Sequence, residues 1–304
     1  MLHEIPLERR TLHGHFSRDL EPILAVESGD SIAFACLNSG WRTAEHELYP
    51  DRMEGEADAG HALIGPVEVR GARAGQVLEV RIDEVRIGSG GVTQAGGWHT
   101  PLNEQLGVAD GESLTLLWSL DADAGIGRSD SGREVQLRPF LGVIGMPPPE
   151  PGIHPTAPPR PCGGNIDCKE LVTGTTLYLP IPVDGALLSA GDGHAAQGDG
   201  EVSQLAIEAP VERAQLTLTV RADLRLRNPS AWTPNAWLTF GLDEDLDVAA
   251  AQATDGMLEL LGREHGLERR EALALASVVV DLRVTQMVNG VRGVHARLAH
   301  DALR

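Results

Sequence analysis

Hydrophobic and polar residues alternate with period two in several separate stretches of the chain, which is the signature of strands with one buried face. Residues 77–87, VLEVRIDEVRI, place Leu78, Val80 and Ile82 on one face and Glu79, Arg81 and Asp83 on the other. Residues 215–226, QLTLTVRADLRL, alternate for longer, with Leu216, Leu218, Val220, Ala222, Leu224 and Leu226 on one side. TTLYLPIPV (175–183) alternates through Leu177, Leu179, Ile181 and Val183. Its two prolines cannot donate to a ladder, so an edge strand or a bulge is expected there. SIAFACL (31–37) and VSQLAIEAP (202–210) are further candidate strands.

Helical spacing appears late. From Leu246, residues Ala250, Ala253, Met257, Leu260 and Leu261 recur on one helical face, and Asp243, Glu244 and Asp245 cluster where a helix start favours negative charge. Gly266 separates this helix from a second, Ala- and Leu-rich one over roughly 268–280. Strands first and a helical pair last predict an α+β chain that is predominantly β. GSGGVTQAGG (88–97) reads as a flexible loop and DADAGIGRSDSG (121–132) as a hairpin turn. Neither makes a phosphate loop, because no suitable helix follows.

Composition narrows the function classes. The chain has 304 residues, with 35 glycines, 19 prolines and only 4% aromatics, so turns are many and aliphatic side chains must fill the core. This length suits one large domain, with a first part over about 1–140 and a second over 141–304. A net charge of −19 argues against nucleic acid or an anionic membrane as partner. Three cysteines without framework spacing, an N-terminus lacking an apolar core and no long apolar run together predict a soluble cytoplasmic protein.

Two stretches carry chemistry. Seven of the fifteen residues of MPPPEPGIHPTAPPR (146–160) are proline, and GGNID (163–167) follows. Proline stiffens the chain, and paired glycines let a backbone approach a ligand closely. Gly163 and Gly164 are therefore expected beside a substrate, with Asn165 and Asp167 aimed at the reacting centre. The second stretch, GDGHAAQGDGE (191–201), sets Asp192, His194, Gln197, Asp199 and Glu201 among four glycines. Glycine at this density predicts a tight loop between strands. Asp192 and His194, two residues apart, would share a side in an extended segment and suit a divalent ion, Zn²⁺ first, with Ca²⁺ as the alternative. Glu201 closes the GDGE turn, and a hairpin could return it to the same end as a proton carrier. Cys162 and Cys168 lack a visible base and read as buried residues. Lys169 is the chain's one lysine.

These motifs, with IGPVEVRGARAGQVLEVRIDEV (64–85), GVIGMPPP (142–149), DLDVAAAQATDGMLELL (245–261) and EALALASVVVDLRVTQMVNGVRGVHARL (271–298), resemble the acetamidase/formamidase family of amide hydrolases over most of the chain. The resemblance implies a β-rich, sandwich- or barrel-like core with a small helical part, a homo-oligomer and a divalent metal. It also implies hydrolysis of a short amide such as formamide or acetamide to a carboxylate and ammonia. The matching positions are His61, Asn165, Asp167, Asp192, His194 and Glu201. Of these, Asp167, Asp192, His194 and His61 are expected as ligands, Glu201 and Asn165 as catalytic groups, and Gln197 beside the substrate. Where relatives usually carry an acid after the IAFACL strand, this chain has Asn38, followed by Ser39 and Gly40. A different amide, a cyclic amide or a cation-binding protein without activity are the alternatives.

Overall fold

A computed structural model describes residues 1–303. A mixed nine-stranded sheet forms one layer, in the order Leu2–Ile5, Ser31–Cys36, Val211–Arg221, Val77–Ile87, Thr176–Pro180, Ser230–Trp232, Ala236–Asp243, Arg292–Ala299 and Val280–Gln286. Strands from both sides of residue 140 alternate within it. A second sheet runs Gly163–Asn165, Phe140–Gly145, Leu188–His194, Leu63–Val69 and Leu12–His13, with Leu24–Val26 added beside Leu63–Val69. The main core draws Leu78, Val80, Leu216 and Leu218 from the first sheet and Ile64, Leu141, Ile144 and Leu188 from the second. The two sheets thus bury their apolar faces against each other, as a sandwich does.

Strand 77–87 spans the predicted residues, but its alternation changes phase. Leu78, Val80 and Ile82 are buried, and then Val85 and Ile87. The ladder with 211–221 shifts register between Gln215 and Leu216, which face Glu84 and Ile82, so Asp83 is the extra residue of a bulge. One inserted residue flips every later side chain, and the consecutive acids Asp83 and Glu84 are the trace of that flip in the sequence. On the solvent side Arg221 pairs with Glu79 at 2.7 Å and Arg213 with Glu84 at 3.1 Å.

Several expectations are corrected. The 215–226 alternation overstates its strand, which runs Val211–Arg221 before the chain turns away. Thr176–Pro180 is central, not an edge. Its partner Ser230–Trp232 covers only Thr176–Tyr178, so Pro180 lies beyond the stretch where a donor is needed. The 88–97 loop contains the strand Gly90–Ala95, paired along its length with Leu114–Asp121 in a four-stranded sheet. Within 121–132 there are two turns, at about 122–125 and 130–132, because Ile126–Ser129 lies between them as a strand. Residues 202–210 form no strand, only isolated bridges at Glu208.

The helical pair is Leu246–His265 and Arg269–Val279. Asp245 caps the first by accepting from the amides of Asp247 and Val248, and Gly266 ends it in the left-handed region. Its buried Ala249, Ala253, Met257, Leu260 and Leu261 pack on Val294, Ala296 and Leu298, forming a second core on the opposite face of the large sheet. No described helix is long and apolar enough to cross a membrane.

Candidate active site

The glycine-dense 191–201 stretch is not all loop. Leu188–His194 is a fully buried strand between Phe140–Gly145 and Leu63–Val69. Glycine is required by close approach here. A Cβ on Gly191 would strike the Ala62 carbonyl, and one on Gly193 the Ala209 carbonyl. The strand ladder sets His194 opposite Phe140 and Gly191 opposite Val143. Gly142 lies between these pairs, and a Cβ on it would collide with Asp192 Oδ2, Asp167 Oδ1 and His194 Cε1. Those three side chains therefore converge over the one residue of the neighbouring strand that leaves them room.

Asp167 arrives from the strand on the other side. Gly163–Asn165 pairs with Phe140–Gly145, and the chain turns at Asp167 with φ 52°. Gln197 ties this segment to the central strand: its Nε2 donates to the Asp167 carbonyl at 2.7 Å, and its Oε1 accepts from His194 Nδ1 at 2.9 Å. The amide oxygen can only accept, so His194 carries its proton on Nδ1 and turns Nε2 the other way. Nε2 lies 3.3 Å from Asp192 Oδ2 and 3.3 Å from Glu208 Oε1. Asn289 Nδ2 donates to Asp167 Oδ2 at 3.0 Å.

The result is two carboxyl pairs with an imidazole between them. Asp167 faces Glu201, and Asp192 faces Glu208. All four carboxyls and His194 are buried, and Asp167 Oδ1, Asp192 Oδ1, Glu201 Oε2 and Glu208 Oε2 are buried without a hydrogen-bond partner. Four carboxylates and one imidazolium would leave three uncompensated negative charges in the interior, a state that must take up protons or a cation. The titration behaviour agrees. Burial pushes Glu208 up to about 8 and Glu201 up to about 7, against the pull of His194. Burial, then Glu201, raises Asp167 well above the carboxylate range. Burial works against charge on Asp192 and His194 too, yet charge prevails: Glu208 and then Asp192 hold His194 high, and His194 and then His61 hold Asp192 low.

A divalent ion fits this donor set. Ligand atoms of Asp192, His194 and Glu208 lie within 4.8 Å of one another, as do those of Asp167, His194 and Glu201. Tetrahedral zinc holds N and O donors at ~2.0–2.1 Å, which places them roughly 3.3 Å apart. The two His194 Nε2 distances match that spacing.

The structure thus brings together Asp167, Asp192, His194 and Glu201, with Gln197 bracing them and also lining a cavity beside Glu201. His61 stands outside both donor groups. Its Nδ1 is 2.7 Å from Thr156 Oγ1, and its influence on Asp192 is electrostatic. Asn165 donates to the Ala157 carbonyl at 3.1 Å and leaves Oδ1 buried and unpartnered. Gly163 and Gly164 are buried ladder residues, since their strand must lie close against Phe140–Gly145. Asn38 is occupied in its own turn, accepting from the Arg42 amide at 2.9 Å. Cys162 and Cys168 are buried free thiols, and burial pushes Cys162 up to about 11.

Glu208 and Asn289 were not singled out from the sequence. Glu208 sits in LAIEAP, where an acid inside an apolar run is costly without a partner, and that was its signal. An isolated bridge to His194 and a two-way backbone bond with Val92 hold it in place. Lys169 braces the site from outside. It pairs with Asp199 at 3.1 Å, so one ion pair clamps the segments that present Asp167 and Glu201.

The acetamidase/formamidase family model matches residues 152–295. The crystal structure of an acetamidase from Bacillus halodurans is 31% identical, with 97% of each chain covered and a TM-score of 0.84. An acetamidase from Yersinia enterocolitica shares the fold, with a TM-score of 0.85 over 100% of this chain and 94% of that one, at 22% identity. A formamidase of Methylophilus methylotrophus is 24% identical over 63% of this chain and 60% of its own. The match thus spans about 60% of the length of the curated relatives.

Proposed function

The chain belongs to the acetamidase/formamidase family, and from that premise we propose that it hydrolyses the C–N bond of a linear amide, yielding a carboxylate and ammonium. The observation that carries this reading is the buried pair of carboxyl pairs around His194, a donor set that calls for a cation. Asp192, His194 and Glu208 would hold the ion, zinc by its donor types and spacing. When bound, such an ion supplies Lewis-acid polarisation of the amide carbonyl and a water whose pKa is lowered to about 7.

The protein's own groups handle the rest. Gln197 fixes the His194 tautomer and holds the Asp167 backbone, so both ends of the site keep one geometry. Asn289 fixes one oxygen of Asp167, leaving Oδ1 for the interior. Glu201 faces Asp167, with carboxyl oxygens within 4.8 Å, and lines a cavity of about 420 Å³ with Gln197 and Asp199. Its carboxyl, raised to about 7, sits where a group can both take and return a proton near neutral pH. It would accept a proton from the attacking water and deliver it to the departing nitrogen. The same reading carries assembly into a homo-oligomer, a cytoplasmic location and formamide or acetamide as minimal substrates.

Metal analysis of purified protein, run beside an ammonia-release assay on both amides, tests it. Prolonged chelation should abolish turnover and zinc should restore it. His194→Ala should lower metal content directly. Full turnover in demonstrably metal-free protein would overturn the metal-dependent mechanism.

A further inference from the structure

Above the Asp192–Glu208 end of the site lies a cavity of about 590 Å³, lined among others by His15, Ser39, Arg52, His61, Ile153 and Thr156. Two of these residues join it to the carboxyl cluster. Ser39 lies near enough to the Glu208 carboxyl to favour its charge, and His61 acts on Asp192 through charge. Asn165, whose Oδ1 is unpartnered, is bonded to Ala157 on the same lining. The cavity is therefore an approach to the reacting centre. Its volume falls in the range that encloses drug-sized ligands, ~300–1,000 Å³. Acetamide, with two carbons, one oxygen and one nitrogen, would fill a small fraction of it.

The lining says what the remaining space recognises. His15 donates Nδ1 to the Ala57 carbonyl at 2.9 Å, and His61 Nδ1 is taken by Thr156; among the described residues neither Nε2 has a hydrogen-bond partner. Arg52 is exposed at the rim; its guanidinium carbon lies 5.8 Å from the centroid of the buried Trp41 ring, and its Nη2 donates to the Asp58 carbonyl at 3.1 Å. These two contacts orient the guanidinium, and among the described residues no carboxylate forms an ion pair with it. Arg9, on the same indole, is by contrast neutralised by Asp58 at 3.0 Å. In a chain of charge −19, a pre-positioned guanidinium without a counter-charge, opening onto a site cavity, is a receptor for an anion. Glu56, the one carboxylate on this lining, is exposed.

Resting on the amidase reading, we propose that the preferred substrate is an amide whose acyl chain ends in a carboxylate, the half-amide of a dicarboxylic acid. Arg52 takes the distal carboxylate while the amide lies over the Asp192–His194–Glu208 end. Water adds to the amide carbon, the C–N bond breaks, and the products are a dicarboxylate and ammonium, with no further reactant.

The experiment compares acetamide, butyramide, succinamate and glutaramate by ammonia release with the zinc-loaded protein, and titrates succinate and glutarate calorimetrically. A half-amide should exceed the neutral amide of matching chain length by at least about tenfold in kcat/KM, mainly through KM. Arg52→Gln should bring that preference towards one and weaken dicarboxylate binding in step. Glu56→Gln, which removes the opposing charge without touching Trp41, should sharpen the preference. Equal kcat/KM for half-amides and neutral amides, or dicarboxylate binding unchanged in Arg52→Gln, overturns the inference while acetamide turnover keeps the amidase reading. Absence of turnover on every amide overturns the amidase reading; dicarboxylate binding lost in Arg52→Gln would then still place an anion receptor in this cavity.

Discussion

The two sheets are built to opposite rules. In the large sheet, Leu216, Leu218, Leu238 and Phe240 are fully buried and apolar, and the charged side chains, Glu79, Arg213 and Arg221 among them, meet water on the other face. In the smaller sheet the strand Leu188–His194 is buried on both sides and still carries Asp192 and His194. The first arrangement stabilises the chain at about 25 cal/mol per Å² of apolar surface removed from water. The second spends stability on four buried carboxyls, each with one oxygen left without a partner, which a bound cation or shared protons can offset. Glycine marks the difference: Gly142, Gly191 and Gly193 stand where backbones and charged side chains crowd together. Both sheets feed the main core, and the smaller one also carries Asp192 and His194.

The largest expected effect breaks the chemical side alone. Glu201→Gln preserves shape and removes proton transfer, so turnover should fall by roughly 10²–10⁴, with melting temperature and metal content close to the parent. Near-normal turnover would remove Glu201 from catalysis, and loss of metal would make it a ligand. The converse change strikes the large sheet. Phe240→Ala should cost about 3–5 kcal/mol in urea unfolding, while the folded fraction keeps its metal stoichiometry. If the metal leaves with the Phe240 ring, the two regions are not separable.

Acid sharpens the comparison, because each sheet holds a buried histidine outside the donor set. Burial lowers His13, at the edge of the smaller sheet, and His295, in the large one, from 6.5 to about 4. Between those values each of these two imidazoles binds more protons in the unfolded chain than in the folded one. Their contribution to stability is therefore complete above pH 6.5 and is lost as pH falls towards 4, by roughly 3 kcal/mol for each histidine, while Glu201 and Glu208, raised by burial, act in the opposite sense when no cation holds them. Urea midpoints should fall less towards pH 4 in His295→Gln and in His13→Gln than in the parent. An unchanged slope in both variants would place the acid sensitivity elsewhere.

Much of this architecture is written locally. The period-two stretches fix which face of 77–87 and 211–221 is apolar, because a strand turns alternate side chains to opposite sides whatever its neighbours are. Asp245 and Gly266 bound a helix through groups within one turn of each end. Asp192 and His194 were legible as a pair because two residues of one strand share a side. Other features depend on partners distant in the chain. Whether GDGH is loop or strand was decided by the close backbones at Ala62 and Ala209. That Thr176–Pro180 is central depended on where Ser230–Trp232 stops. Asp167 reaches His194 only through the ladder of Gly163–Asn165 on Phe140–Gly145, and Glu208 only through its bridge beside His194. Periodicity encodes the direction of a side chain relative to its own backbone; which charges meet is set by strand order and register, and those follow from hydrogen bonds between segments that the sequence keeps apart.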